Sequence, residues 1–116
     1  MFKKQYRLTK NKEFQSVMKG GQAAYSPVLM LKYYKNNLDY SRIGIIVSNK
    51  VSKKAVRRNL ARRRIREILQ SMFTQLKPGY DIVFIASPKI VVDDKVVKYK
   101  QIEQFLQSLL KKSKLI

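Results

Sequence analysis

Cysteine is absent from the chain, which excludes disulfides and thiolate metal sites. Histidine is absent too, so imidazole acid–base catalysis and the usual zinc ligands are missing. Acidic residues are scarce and scattered: Glu13, Asp39, Glu67, Asp81, Asp93, Asp94 and Glu103. Ser48, Ser52 and Ser71 have no histidine to activate them. Asp93-Asp94 is read as a helix cap rather than a metal site. No apolar run approaches the ~20 residues that cross a bilayer, and the opening Met-Phe-Lys-Lys-Gln-Tyr-Arg-Leu lacks an apolar signal core. The expectation is a cytoplasmic protein without membrane contact, without catalytic side chains and without a metal site of its own.

What the chain does have is positive charge. Lys and Arg number 26 against 7 Asp and Glu, a net charge of +19. That balance favours a polyanionic partner, and nucleic acid is the obvious one. The 116 residues, 45% of them hydrophobic, suit one domain with a single core, residues 1–116.

The charge is densest from Lys50 to Arg66. Lys50, Lys53, Lys54, Arg57, Arg58, Arg62, Arg63, Arg64 and Arg66 fall there, with no acid before Glu67. A solvated helix face is the plain alternative. The preference for Arg argues against it, because the planar guanidinium fits phosphate oxygens and stacks on bases.

Hydrophobic spacing organises the rest. Residues 1–10 read as basic and irregular. A short helix is expected from Asn11 to Lys19, capped by Asn11 and ended by Gly20-Gly21, with Phe14, Val17 and Met18 on one side. Ala23 to Lys35 reads as a strand, with an additional short strand near Ala24-Tyr25 set off by Pro27. Asn36 to Asp39 supplies turn chemistry, and a strand from Tyr40 to Ser48 should pair with the preceding one as an antiparallel hairpin. After a basic connector, a helix is expected from Ala55 to Leu76. Ala61, Ile65, Ile68, Leu69, Met72 and Leu76 form its apolar stripe. Asn59, Arg63 and Arg66 share a different face, with Arg62 and Arg64 on the flanks. Arg58 falls close to the stripe, so it belongs in the first turn with its side chain turned toward the connector. Lys77-Pro78-Gly79 stops the helix, and Tyr80 to Ala86 reads as a strand buried on both faces. Asp93 or Asp94 would cap a last helix carrying Ile102, Phe105, Leu106, Leu109 and Leu110. Helices packed on a small sheet, an α/β sandwich, is the resulting architecture.

Ala55 to Glu67 closely resembles the signature of the bacterial ribonuclease P protein subunit. Arg58-Asn59 matches its opening pair, Arg62-Arg63 its basic pair and Arg66 its later Arg, while Leu60 replaces a basic residue. Lys12 to Gly20, Ser41 to Ser48 and Tyr80 to Ala86 are similar to the family's flanking segments. Two departures stand out. Met18 occupies a position that is often aromatic, and Ser52-Lys53-Lys54 replaces a shorter connector that usually contains Gly.

The resemblance implies an αβββαβα two-layer sandwich with a small mixed sheet and a left-handed βαβ crossover, against the usual right-handed rule. It implies a subunit that binds a catalytic RNA, one protein per RNA. The complex would remove the 5′ leader of precursor tRNA by hydrolysis, with Mg²⁺ held mainly by the RNA. Lys50, Lys53, Lys54, Arg57, Arg58, Asn59, Arg62, Arg63 and Arg66 would hold the catalytic RNA. Asn59 would orient a backbone turn or a hydrated metal, or serve as a local cap. Phe14, Met18 and Lys32 match positions of a leader cleft, and Arg7, Lys12 and Tyr34 lie near them in the sequence pattern. A ribosomal protein or general RNA chaperone shares the charge and build and is the alternative. A DNA-binding protein ranks behind it for want of a helix-turn-helix pair.

Overall fold

In a computed structural model, the structure describes residues 3–116. Met1 and Phe2, part of the segment expected to be irregular, lie outside the described residues. The elements are α1 (Asn11–Gly20), β1 (Gln22–Tyr25), β2 (Leu29–Lys35), β3 (Arg42–Ile46), α2 (Ala55–Met72), β4 (Tyr80–Ala86), β5 (Val91–Val92), β6 (Lys95–Val96) and α3 (Tyr99–Lys112).

The first four strands of this series make a mixed sheet in the order β1-β2-β4-β3. β2 is antiparallel to β1 and β4, while β3 is parallel to β4. The expected hairpin between the second and third strands therefore does not form, because β4 stands between them. The reason lies in composition. Ile82, Val83 and Phe84 are fully buried, and a strand apolar on both faces needs a neighbour on each side and a layer on each face. The Asn36–Asp39 segment carries the chain across the end of β4 instead of closing a hairpin. Asn37 takes a left-handed conformation at φ 61°. Asn36 Nδ2 donates to Tyr40 O at 3.2 Å and to Asp81 Oδ1 at 2.9 Å. The short strand marked off by Pro27 is present as β1.

Helices α2 and α3 cover one sheet face. Leu29, Leu31, Ile43, Ile82 and Phe84 meet Ala61, Ile65, Ile68, Leu69, Met72, Ile102, Leu106 and Leu110 there. All six residues of the expected α2 stripe are buried, although the α-helix ends at Met72 and a 3-10 turn, Phe73–Gln75, carries the chain to Leu76. On the other face, α1 packs a smaller cluster, Leu8, Val17 and Val83, with Phe14, Ile46 and Ile85 at its margin.

Two expected caps are overturned. Asn11 is the first helical residue of α1, and Lys10 holds the cap position. The Glu13 carboxylate reaches back to accept the N–H groups of Lys10 at 3.0 Å and Thr9 at 3.2 Å. Asp93 and Asp94 do not begin α3. They form the turn of the β5–β6 hairpin, with φ of 51° and 62°, the left-handed pair that a two-residue hairpin turn demands. Lys98 precedes α3, with no side-chain cap.

Candidate nucleic-acid interface

The parallel strands β3 and β4 end on the same side of the molecule, and the basic connector leaves from β3 there. Val51 is buried in a turn closed by its N–H donating to Ser48 O at 3.0 Å. Burying this one apolar side chain presents its charged neighbours outward. Lys50 and Lys53 are exposed.

The arginines of α2 divide by what they touch. Arg58 Nη1 donates to Ser52 O at 2.9 Å, so its side chain does turn back toward the connector. Arg62 donates to Asn59 Oδ1 at 2.8 Å and to Val47 O at 3.4 Å, which ties the helix to the end of β3. Asn59 is thus engaged with Arg62. Arg64 donates to Val96 O and Val97 O at 3.2 and 2.7 Å and fastens α2 to the strand before α3. Arg63 stands 66% exposed beside Glu67 at 3.6 Å, and Arg66 is half-buried.

Lys54 and Arg57 share one carboxylate. Asp94 Oδ2 lies 2.6 Å from Lys54 Nζ and 3.5 Å from Arg57 Nη2. Its pKa is held below the ordinary value, chiefly by the Lys54 hydrogen bond; burial opposes the shift, and Arg57 adds to it. Arg57 Nε is buried without a partner. No local sequence signal announces Asp94, which is 40 residues from Lys54 and arrives only because the β5–β6 hairpin folds beside the start of α2.

Of the predicted cleft residues, Lys32 and Tyr34 lie on the less-covered sheet face, and Lys12, Phe14 and Met18 on the helix α1 that packs against it. Strand register arranges that face in rows: Tyr25, Met30, Ile85 and Ile46; then Ala23, Lys32, Val83 and Gly44; then Tyr34, Asp81 and Arg42. Helix α1 lies against the middle row. A Cβ on Gly44 would come within 2.5 Å of the Phe14 ring, so the absent side chain is what admits Phe14. Phe14 is half-buried and Met18 is 37% exposed. Lys32 Nζ donates to Met18 O at 2.9 Å and so tethers the end of α1. Phe14, Met18 and Lys32 are therefore brought together. Lys12 and Tyr34 line a separate depression with Arg42, and Arg7 faces another one beside Tyr40. The first row remains open, with Tyr25 64% exposed and Met30 and Ile85 lining an apolar groove. Sequence reasoning missed this row. Its only signal was the alternation within β2 and β4, which becomes meaningful once their register is known.

Arg42 was also missed, as the residue that fastens α1 to the sheet. Its guanidinium bridges Glu13 of α1 and Asp81 of β4. The hydrogen bond to Asp81 raises its pKa against the opposing effect of burial, and the charge of Glu13 adds to the rise. Burial works against ionisation of Glu13, but the N–H groups of Lys10 and Thr9, with Arg42, lower its pKa below the ordinary value. Among the described residues, no three acidic side chains come together to cage a metal ion. No helix among them is long and apolar enough to cross a membrane.

Comparison with known proteins agrees with this arrangement. The family model described as Ribonuclease P matches residues 2–114. A ribonuclease P protein component from Dehalococcoides mccartyi (strain CBDB1) is 42% identical over 95% of this chain and 86% of its own. One from Clostridioides difficile (strain 630) is 40% identical over 91% of this chain and 90% of its own. Among solved structures, the RNase P protein of Thermotoga maritima superposes with a TM-score of 0.82 at 33% identity, covering 91% of this chain and 96% of that one. A Staphylococcus aureus RNase P protein mutant, described as defective in mRNA degradation, superposes at 0.87 with 32% identity, over 97% and 92% of the two chains. These matches favour the ribonuclease P reading over a ribosomal protein or a general chaperone. A cationic connector, an arginine-lined helix and a half-covered sheet face on this fold have one consistent assignment: the chain belongs to the ribonuclease P protein family.

Proposed function

We propose that the chain acts as one domain in the cytoplasm, holding a catalytic RNA on one surface and the 5′ leader of precursor tRNA on another. The observation that carries this is the meeting of both surfaces at one end of the sheet. The open row ends at Ile46 of β3, and the basic connector begins a few residues later. A single strand lying along Tyr25, Met30 and Met18 leads toward the phosphates held by Lys50, Lys53 and Arg63.

The division of labour follows from the side chains. Lys50, Lys53, Arg63 and Arg66 supply charge to RNA phosphates, and Lys54 and Arg57 exchange Asp94 for phosphate when RNA arrives. Arg58, Arg62 and Asn59 keep the connector and helix in register for those contacts. Phe14, Met18 and Lys32 hold the leader, with Lys12, Tyr34 and Arg7 at its margins. Base–aromatic stacking contributes about 1–3 kcal/mol per base and tolerates sequence, as a leader binder must. Met18 in place of an aromatic weakens that stacking. In this reading Mg²⁺ is held mainly by the RNA. The phosphodiester hydrolysis is RNA-borne, with one protein serving each RNA.

Purified protein should raise precursor tRNA cleavage by its cognate RNA at low Mg²⁺. Lengthening the leader by a few nucleotides should tighten substrate binding. No effect of leader length would remove the cleft assignment.

A further inference from the structure

At the opposite end of the sheet from the connector lies a second basic and aromatic groove. Strand β2 outruns β1 there: Gln22 pairs with Tyr33, while Tyr34 and Lys35 continue past it. The notch is bordered by Gly20 at the end of α1 and by Ser113 and Lys114 beyond α3, with a volume of about 530 Å³. That is within the range of small-ligand sites and large enough for a nucleotide.

Its walls are held in place. The Tyr33 and Tyr80 rings meet edge to face at 6.0 Å, and Tyr33 Oη donates to Gln22 Oε1 at 2.7 Å. Tyr34 is 45% exposed. Lys77 is fixed through its backbone: its N–H donates to Leu115 O at 2.8 Å, and its carbonyl accepts from Ser41 Oγ at 2.6 Å. Lys114 takes a left-handed conformation at φ 58°, with its N–H on Lys111 O at 3.0 Å. Lys35, Lys77 and Lys114 are all exposed. Among the described residues, none of their ammonium groups meets a carboxylate at ion-pair distance, and no acid lines the groove.

We infer that this groove is a further binding site for single-stranded RNA, with bases against Tyr34 and Tyr80 and phosphates on Lys35, Lys77 and Lys114. Three unpaired cations around one aromatic-walled notch fit a polyanion that carries flat, stackable groups. A duplex keeps its base faces inside and would use only the charge. The groove also continues from the cleft side, since Tyr34 and Lys35 line the depression that holds Lys12 and Arg42. Two sources share this chemistry: the far 5′ part of a long leader, or an unpaired segment of the catalytic RNA. Assigning the source rests on the function proposed above; the groove itself does not.

The test uses the full chain carrying Lys77→Glu with Lys114→Glu, and Lys77→Arg with Lys114→Arg as the charge-preserving control. With oligouridylate as the probe, the log–log salt slope of binding to isolated protein should shrink by about 1.4, or about 0.7 for each single-strand phosphate that is no longer neutralised. The arginine control should keep the slope, and the Tyr80 ring resonances of the native chain should shift on titration. In the reconstituted complex, weaker binding confined to long-leader precursors assigns the groove to substrate. Weaker association with the catalytic RNA assigns it to that RNA. An unchanged slope with unmoved ring resonances overturns the site, even if leader length still controls cleavage. A slope change that neither arm of the reconstituted assay reproduces overturns it as well.

Discussion

The two faces of the sheet are built for different ends. The face under α2 and α3 is closed by a continuous apolar core in which Phe84, Ile65, Leu106 and Leu110 have no exposed surface. The face under α1 has a small cluster, with Leu8, Val17 and Val83 as its buried members, and an ion-pair bridge from Arg42 to Glu13 and Asp81. Apolar burial is non-directional and strong, so it suits the face that holds the chain together. The other face keeps Tyr25, Met30 and Met18 accessible and relies on a few directed contacts to place its helix. The apolar core is thereby concentrated on one side of the four strands, and the accessible side chains on the other.

Substitution on the closed face should have the largest effect. Phe84→Ala should cost about 3–5 kcal/mol, because a fully buried ring leaves a cavity between sheet and helices. Urea unfolding followed by circular dichroism measures it. A loss near zero would mean that the two faces contribute alike.

Gly44→Ala tests the opposite face. The new methyl would press into the Phe14 ring, and overpacking of this kind costs about 1–3 kcal/mol. The expected outcome is a displaced α1, with the leader-length dependence of substrate binding abolished and association with the catalytic RNA retained. Equal damage to both binding steps would show that the cleft and the connector are not separable.

Acid should sharpen the contrast. The pKa of Glu13 is depressed in the folded protein, so its stabilising contribution is complete above its unfolded value, about 4.3. That contribution disappears as pH falls through the lower folded value. Hydrogen exchange should then show α1 loosening in this acidic range before α2 or α3. Glu13→Gln should have a looser α1 already at neutral pH and lose the acid step. An α1 that opens together with α2 at all pH values would argue against a locally fastened helix.

The smallest effect on stability is expected at Arg63. It is 66% exposed and, among the described residues, its ion-pair partner is Glu67 at 3.6 Å, so Arg63→Ala should change stability by less than about 0.5 kcal/mol. Its effect should appear in binding instead. Association with the catalytic RNA should weaken, and the salt slope should flatten by about one or less, as expected when one phosphate is no longer neutralised. An unchanged slope would place Arg63 in solvent.

Much of the closed face was legible beforehand. The stripe from Ala61 to Leu76 and the run from Ile82 to Ile85 carry their burial in local spacing, which any packed helix or central strand must show. The position of Arg58 could also be read, because its conflict with the stripe left only the connector side open to it. The open face was less legible. Phe14, Met18 and Lys32 were marked by resemblance, but their neighbours Tyr25 and Met30 were not, since a row across a sheet exists only after register is set. Asp93-Asp94 shows the same limit: its chemistry suits either a helix cap or a tight turn, and the pairing of Val91 with Val96 decides for the turn.

By itself, then, the amino-acid order determined the polyanionic partner, the identity of the helices and the strand destined for the interior. Charge density and hydrophobic period are properties of neighbours along the chain. Tertiary structure alone decided that β4 separates β2 from β3, that Arg42 joins Glu13 to Asp81, and that Asp94 faces Lys54. Those choices match groups 29 to 45 residues apart, and only the collapsed chain brings them within reach of one another.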